Sequence, residues 1–252
     1  MRGLLFWAAF GLLLPQALWV RRITPRFQGA VGEPSGRVSS PNLNPQSNES
    51  DPSLQVVGLG DSIIRGVGAN EHSEALVGQT ALSLSETLGR PVAWQVRGKI
   101  GAQTSRITRE ASQVEWPESV DVVVISTGVN DLLGLCSIKE WRSNIEGLIQ
   151  AVRAHAPEAL IVFCGLPPMD VFPSLPRPLR WVLGYRARHL DQVLGETTEA
   201  FERVVWVPVQ SDEAPALTTE MFAGDGFHPG PRGYQALGQV LGRAIEVFFR
   251  TG

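Results

Sequence analysis

The feature that most constrains the fold is a regular alternation of short apolar runs with segments of helical periodicity, from Leu54 to the C-terminus. The clearest run is Val122-Val123-Val124-Ile125, and a continuous apolar run of this length is typical of a strand covered on both faces. Strands that alternate with helices predict a parallel sheet with helices on both sides. Ligands of such sheets bind beyond the carboxyl ends of the strands.

Five strands and five helices are predicted, which is enough for one α/β domain. The predicted strands are 55–59, 92–96, 121–126, 160–163 and 204–207, and the predicted helices are 74–88, 104–114, 138–155, 181–201 and 233–249. The first helix is expected to end at Gly89, because Pro91 follows it closely.

The first 53 residues differ from the rest in composition. Leu4 to Val20 is a 17-residue run without a charge, which as a helix would span roughly 26 Å, about the thickness of a bilayer core. We predict a signal peptide or a membrane anchor at 1–23, with a buried core helix as a further alternative. The protein would then be membrane-anchored or exported, with the orientation open because arginines flank both ends of the run.

A flexible linker is predicted at 24–53, where Pro, Ser, Asn and Gly are frequent. The folded domain is therefore expected to be 54–252.

The charges exclude some partners. Four of the 22 basic residues and none of the 25 acidic ones lie within the first 26 residues, so the remainder is net acidic. This argues against a nucleic-acid partner. The histidines have no Cys, Asp or Glu at metal-ligand spacing, so no metal is predicted. No obligate protein partner is evident. Cys136 and Cys164 are interpreted as two buried thiols, or as one disulfide if the domain is exported.

Four short motifs carry candidate chemistry. They are Gly60-Asp61-Ser62, Gly98-Lys99-Ile100-Gly101-Ala102, Gly128-Val129-Asn130-Asp131 and Asp225-Gly226-Phe227-His228-Pro229. Together they supply a nucleophile, donors for an oxyanion, and a base with an orienting carboxylate, which is the inventory of acyl transfer. The first three motifs follow the first three strands, so we expect them to meet at one edge of the sheet.

With these motifs the chain resembles the SGNH hydrolases, also called the GDSL esterase/lipase family, from about Leu54 to the C-terminus. The resemblance implies a three-layer αβα sandwich, flavodoxin-like, with a five-stranded parallel sheet. It also implies serine ester hydrolysis without a cofactor. Ser62 would be the nucleophile, His228 the base, and Asp225 the carboxylate that orients His228.

The resemblance further implies an oxyanion hole with three donors. These would be the backbone N–H of Ser62, the backbone N–H of Gly101 and the side-chain amide of Asn130. Gly98 is an alternative to Gly101, which is favoured because Ala102-Gln103-Thr104 follows it. Asp61 and Asp131 are expected to support the loops.

A proline-rich apolar segment follows the fourth strand at the same edge. We predict that Phe172 and Leu175 bind substrate as part of an acyl-chain wall or lid, although a loop packed on its neighbouring helix is the alternative. The expected substrates are carboxylic esters with apolar acyl chains, such as lysophospholipids, or thioesters. A carbohydrate O-acetyl esterase or acetyltransferase is the rival function, and a non-catalytic membrane-tethered binding domain is a remote one.

Overall fold

The computed structural model describes residues 27–39, 53–210 and 217–251, together with positions 11, 13–20 and 22. The strands of its sheet are β1 (Ser35–Val38), β2 (Leu54–Gly60), β3 (Val92–Gly98), β4 (Val122–Ser126), β5 (Leu160–Cys164) and β6 (Val204–Val207). The helices that pack on this sheet are α1 (Leu76–Leu88), α2 (Thr104–Ala111), α3 (Val129–Leu133), α4 (Ile138–Arg153), α5 (Leu179–Thr198) and α6 (Pro231–Thr251).

The sheet is mixed, with strand order β1-β3-β2-β4-β5-β6. The strands from β2 to β6 are parallel, and their order is that of flavodoxin-like sheets. At the carboxyl end of β2, Gly60 pairs with Gly98 of β3 on one side and with Ser126 of β4 on the other. The three motifs that follow these strands therefore begin at the same level of one edge.

The sheet has six strands in the described part of the chain, and the prediction of five is wrong. The additional strand, β1, runs antiparallel to β3 and lies in the segment for which a linker was predicted. In the register of β1 with β3, Gly36 lies opposite Trp94. A Cβ at Gly36 would lie 2.7 Å from the Trp94 ring, so the glycine allows the strand to cover the indole.

Two apolar cores, one on each face of the sheet, confirm the prediction of helices on both sides. Within β4, Val123 and Ile125 face the layer of α2, α4 and α5, and Val122 and Val124 face the layer of α1 and α6. All four side chains are fully buried. The apolar run in the sequence therefore does correspond to a strand covered on both faces.

Local signals set two of the helix ends. α1 ends at Gly89, which has a φ of 61° and donates its N–H to the carbonyl of Ser85, as expected for a glycine that closes a helix. α4 begins with a capping box in which Ser137 and Glu140 exchange hydrogen bonds between side chain and backbone.

The N-terminal residues are described only in part. Residues 13–20 are helical, and Val20 is buried in the core beneath α5. The remainder of the predicted apolar span, residues 4–10 and Leu12 among them, lies outside the described residues, as does most of the predicted linker. Among the described residues, no helix is both long and apolar enough to cross a membrane.

Candidate active site

Three predicted residues form one chain of hydrogen bonds at the carboxyl edge of the sheet. Nε2 of His228 lies 3.1 Å from Oγ of Ser62, and Nδ1 of His228 lies 2.6 Å from Oδ2 of Asp225. Asp225 is buried, and the His228 side chain remains 18% exposed. Serine, imidazole and buried carboxylate are thus arranged in the order that proton transfer from a serine requires.

The turn that carries Ser62 depends on two close backbone approaches. A Cβ at Gly60 would lie 2.1 Å from the carbonyl oxygen of Ser126, and a Cβ at Gly68 would lie 2.2 Å from that of Pro229. Gly68 also has a φ of 98°, which side chains rarely tolerate. The serine turn can therefore pack tightly between β4 and the histidine loop, which places Ser62 within reach of His228.

The carboxylate of Asp225 organises its own loop. Its Oδ1 accepts hydrogen bonds from the backbone N–H groups of Phe227 and His228, both at 2.9 Å, while Oδ2 faces the imidazole. Burial raises the pKa of Asp225, but the hydrogen bonds from the His228 ring and the two N–H groups together lower it below its ordinary value. An ionised carboxylate beside the imidazole favours the protonated ring that forms when a serine is deprotonated.

Asn130 lies between the first and second motifs, at the start of α3. Its Nδ2 donates to the carbonyl oxygen of Ala102 at 3.0 Å and to Oδ2 of Asp61 at 3.3 Å.

The two candidate glycines for the oxyanion hole, Gly98 and Gly101, differ in their surroundings. A Cβ at Gly98 would lie 2.5 Å from the backbone of Arg65, so Gly98 serves packing, whereas Gly101 has open space around it and a φ of 75°. The donor role of Gly101 stays a prediction.

Asp61 is buried directly beneath the serine turn. Its Oδ1 accepts the N–H of Ile63 at 3.0 Å. Burial raises the pKa of Asp61 to about 6, although the Ile63 N–H and the electrostatic interaction with His228 act in the opposite direction. Asp61 is thus positioned to hold both the serine turn and the amide of Asn130.

Asp131 joins the third motif to the first residue of α2, Thr104. Its Oδ2 accepts hydrogen bonds from the N–H and the hydroxyl of Thr104 at 3.0 and 2.9 Å, and that hydroxyl lies 2.7 Å from Oγ1 of Thr127. Burial raises the pKa of Asp131, which the bonds from Thr104 partly offset. Thr127 was not singled out from the sequence, since a threonine after a strand carries no distinctive signal.

An apolar cavity of about 70 Å³ opens beside Ser62 and His228. The apolar side chains in its wall include Val129, Phe172, Met221, Phe222, Phe227 and Leu237. Phe172 contacts the rings of Phe222 and Phe227 edge-on, each at a centroid distance of 5.1 Å. The sequence analysis did not single out Met221, Phe222 and Phe227 as cavity residues, although the D-x-x-H motif places Phe227 next to His228.

The proline-rich segment is a packed wall and not an exposed lid. Phe172 lines the cavity, whereas Leu175 lies in the core with α5 and does not line it. The substrate-binding roles of Phe172 and Leu175 stay predictions, and the burial of Leu175 gives it less access to a substrate. The segment also contacts the loop of Asp225 and His228, since the N–H of Ser174 donates to the carbonyl of Gly226 at 3.1 Å.

The two cysteines are free, so the disulfide alternative is wrong. Cys164 lies in the core with α1 and α6, whereas Cys136 packs against the core on the opposite face of the sheet. Burial, with Asp191 and Asp61 nearby, raises the pKa of Cys164 to about 12, so the thiol at the cavity wall is neutral.

Within the described residues, no cluster of three His, Cys, Asp or Glu side chains could hold a metal ion.

Comparisons with known proteins agree with this geometry. The fold and the site define an ester-hydrolysing enzyme. The chain belongs to the GDSL-like Lipase/Acylhydrolase family, whose model matches residues 59–236.

Individual relatives cover most of the chain. It is similar to the spore germination lipase LipC of Bacillus licheniformis, with 27% identity over 210 residues, which are 75% of this chain and 94% of that protein. In structure it is similar to the family 3 carbohydrate esterase of Clostridium thermocellum, with a TM-score of 0.61 and 16% identity over 79% of this chain and 98% of the other. It is also similar to the lipase Lip_vut3 from a goat rumen metagenome, with a TM-score of 0.57 and 22% identity over 76% and 97% of the two chains.

Proposed function

We propose that this enzyme hydrolyses carboxylic esters through an acyl-enzyme formed on Ser62. The observation that carries the proposal is the hydrogen-bonded chain from Ser62 through His228 to Asp225, which opens onto an apolar cavity. The cavity gives the acyl group a place where apolar surface can be buried beside the nucleophile.

The reaction follows from the geometry. His228 takes the proton of Ser62 through Nε2 as Oγ attacks the ester carbonyl, and Asp225 stabilises the imidazolium. The N–H groups of Ser62 and Gly101 hold the oxyanion. The amide of Asn130 joins them by exchanging its hydrogen bond to the Ala102 carbonyl for one to the oxyanion, while Asp61 keeps its other N–H. Collapse of the tetrahedral intermediate breaks the ester C–O bond, and His228 returns its proton to the leaving alcohol. Water, deprotonated by His228, then releases the acid and restores Ser62. A thioester would react by the same steps.

The size of the cavity bears on the acyl chain. Engineered protein cavities of about 150 Å³ accept a benzene molecule, and the cavity here has about half that volume. It therefore has room for a short acyl group or for the first carbons of a longer chain. This supports short-chain esters, with lysophospholipids accepted only if the remaining chain lies along the surface.

A second candidate is the removal of acetyl groups from a carbohydrate. The small cavity favours it, because an acetyl group needs little space beside Ser62. The fold shared with a carbohydrate esterase is compatible with it. The apolar wall disfavours it, because the sugar would need polar partners at the rim.

Hydrolysis of p-nitrophenyl esters from acetyl to palmitoyl, by the full chain, tests the proposal. Ser62→Ala should lower kcat by about 10³-fold or more. The control is Ser112→Ala, since Ser112 is an exposed serine at the end of α2. Equal activity of Ser62→Ala and the unchanged protein would refute the serine mechanism. Activity confined to the acetyl ester would favour the acetyl esterase, to be followed with acetylated oligosaccharides.

The apolar run at the N-terminus supports a proposal about location. We propose that residues 1–23 keep the enzyme at a membrane or direct its export. Intact mass and fractionation of the protein recovered from cells test this, because a cleaved signal would shorten the chain and an anchor would keep it with the membranes. A full-length chain recovered free of membranes would contradict both the membrane anchor and the cleaved signal.

A further inference from the structure

Two neighbouring helical segments expose large apolar side chains. Trp181 and Tyr185 of α5 are 53% and 42% exposed, and Leu14, Leu18 and Trp19 of residues 13–20 are about half exposed. These five side chains are called the aromatic face here. Exposed apolar groups this large, on adjoining segments, indicate a surface that is covered in the working state of a protein.

The N-terminal helical residues are attached to the domain along one side. Nε2 of Gln16 donates to the carbonyl of Arg177 at 3.1 Å, and Oε1 of Gln16 accepts the N–H of Leu179 at 3.2 Å. Val20 is buried in the core below, and Leu13 and Ala17 pack against it. Positions 13, 16, 17 and 20 form one stripe of a helix, so the opposite stripe, with Leu14 and Leu18, faces outward beside α5.

Arginines border the aromatic face. The guanidinium of Arg177 lies 5.3 Å from the centroid of the Trp181 ring, and Arg22 is exposed. The first 26 residues contain four arginines and no acid, whereas the remainder of the chain is net acidic. Apolar, indole and phenol groups with arginines at their border match the interfacial region of a bilayer, and arginines are attracted to anionic headgroups.

We propose that the aromatic face docks the enzyme onto an anionic lipid surface, with residues 13–20 lying along α5 in the plane of the membrane and not across it. The acidic remainder of the domain is repelled by the same headgroups, which fixes the orientation. The segment between β5 and α5 connects this surface to the cavity, since it contains Phe172 and leads into α5 at Leu179. Docking by this face thus brings the cavity wall close to the lipid.

Sedimentation of the full chain with vesicles tests the docking directly and needs no catalysis. The vesicles are phosphatidylcholine alone or phosphatidylcholine mixed with phosphatidylglycerol. The protein should bind the mixed vesicles, and added salt should weaken the binding. The double variant Trp181→Ser/Tyr185→Ser should bind about tenfold more weakly, because two rings no longer enter the interface.

The matched control is Val247→Ser/Phe249→Ser, which removes two exposed apolar side chains from α6, on the other side of the sheet. This control should bind like the unchanged protein. Hydrolysis of soluble p-nitrophenyl acetate and the thermal unfolding midpoint should be the same for all three proteins, which separates docking from catalysis and folding. Vesicle binding by the Trp181/Tyr185 variant that equals that of the unchanged protein would overturn the proposal. It would also be overturned if light scattering shows that the unchanged protein is a dimer and that the variant is a monomer.

Discussion

The side chains of Asp61 and Asn130 are joined by a hydrogen bond of 3.3 Å, in which Nδ2 of Asn130 donates to Oδ2 of Asp61. The bond connects the turn of the proposed nucleophile to a proposed oxyanion donor, two positions that are 69 residues apart in the chain. Because an amide is effective only when its N–H group points at the developing charge, we expect Asp61 to act as a positioning residue.

Asp61→Asn should lower kcat on p-nitrophenyl acetate by about 10- to 100-fold and change KM little. The new amide can still accept the Ile63 N–H through Oδ1. Its NH2 group, however, replaces the oxygen that accepted the hydrogen bond from Asn130, so that bond is lost. Loss of a whole oxyanion donor costs roughly 10²- to 10³-fold, so a misdirected one should cost less. Asp121→Asn is the control, because Asp121 also accepts a backbone N–H but lies at the opposite edge, before β4. An unchanged kcat in Asp61→Asn would rule out this positioning role.

The stability of the protein should depend on pH through the same carboxyl. Burial raises the pKa of Asp61 from its ordinary 3.8 to about 6, so the folded state holds this proton more tightly than the unfolded state. The associated stability is present below about pH 4 and is lost as the pH rises through about 6. Relative to Asp61→Asn, the free energy of unfolding should therefore fall by about 3 kcal/mol over this window. Urea unfolding of both proteins across the window measures it, and parallel curves would contradict the prediction.

Asp225→Asn should lower kcat by about 10²- to 10⁴-fold, because the neutral amide no longer stabilises the imidazolium or fixes the ring. Burial of Asp225 is outweighed by the hydrogen bonds it accepts, so its pKa lies below the ordinary value and the group stays ionised in acid. Its contribution to stability is present above the unfolded pKa and is lost as the pH falls through the lower folded one. Steady-state kinetics of Asp225→Asn, with Glu220→Gln on the nearby surface as control, tests the catalytic role. A loss of less than tenfold would count against it.

Phe172→Ala should shift the preferred acyl chain towards longer esters, since it removes a ring from the cavity wall. It should also destabilise the protein by about 3–5 kcal/mol, because Phe222 and Phe227 lose their partner. Leu175→Ala is the matched control: Leu175 is buried equally well in the same segment but does not line the cavity. It should destabilise by about 2–5 kcal/mol without moving the chain-length optimum. The same shift in both variants would assign the effect to loosened packing.

Much of this arrangement could be predicted from the sequence because its signals are local. Apolar runs located the strands of the parallel sheet, and β6 has the predicted bounds. Motifs located Ser62 and His228, which are 166 residues apart in the chain and are joined by a hydrogen bond. The position of Leu175 could not be predicted in this way, because Phe172 and Leu175 are both apolar and only the packing of α5 decides which of them points into the cavity. The strand β1 was missed for a related reason: its sequence is short and half polar, and its pairing depends on the distant β3.

The place of β1 at the border of the sheet has a consequence for handling the protein. A strand at an edge exposes unpaired N–H and C=O groups, which can pair with another molecule. In the folded chain the edge is formed by the four residues of β1, Ser35–Val38, which pair with residues 92–95 of β3. A chain cut to begin at Leu54 would leave this side of β3 unpaired along its whole length, and we expect such a fragment to self-associate even with Ser62, Asp225 and His228 in place.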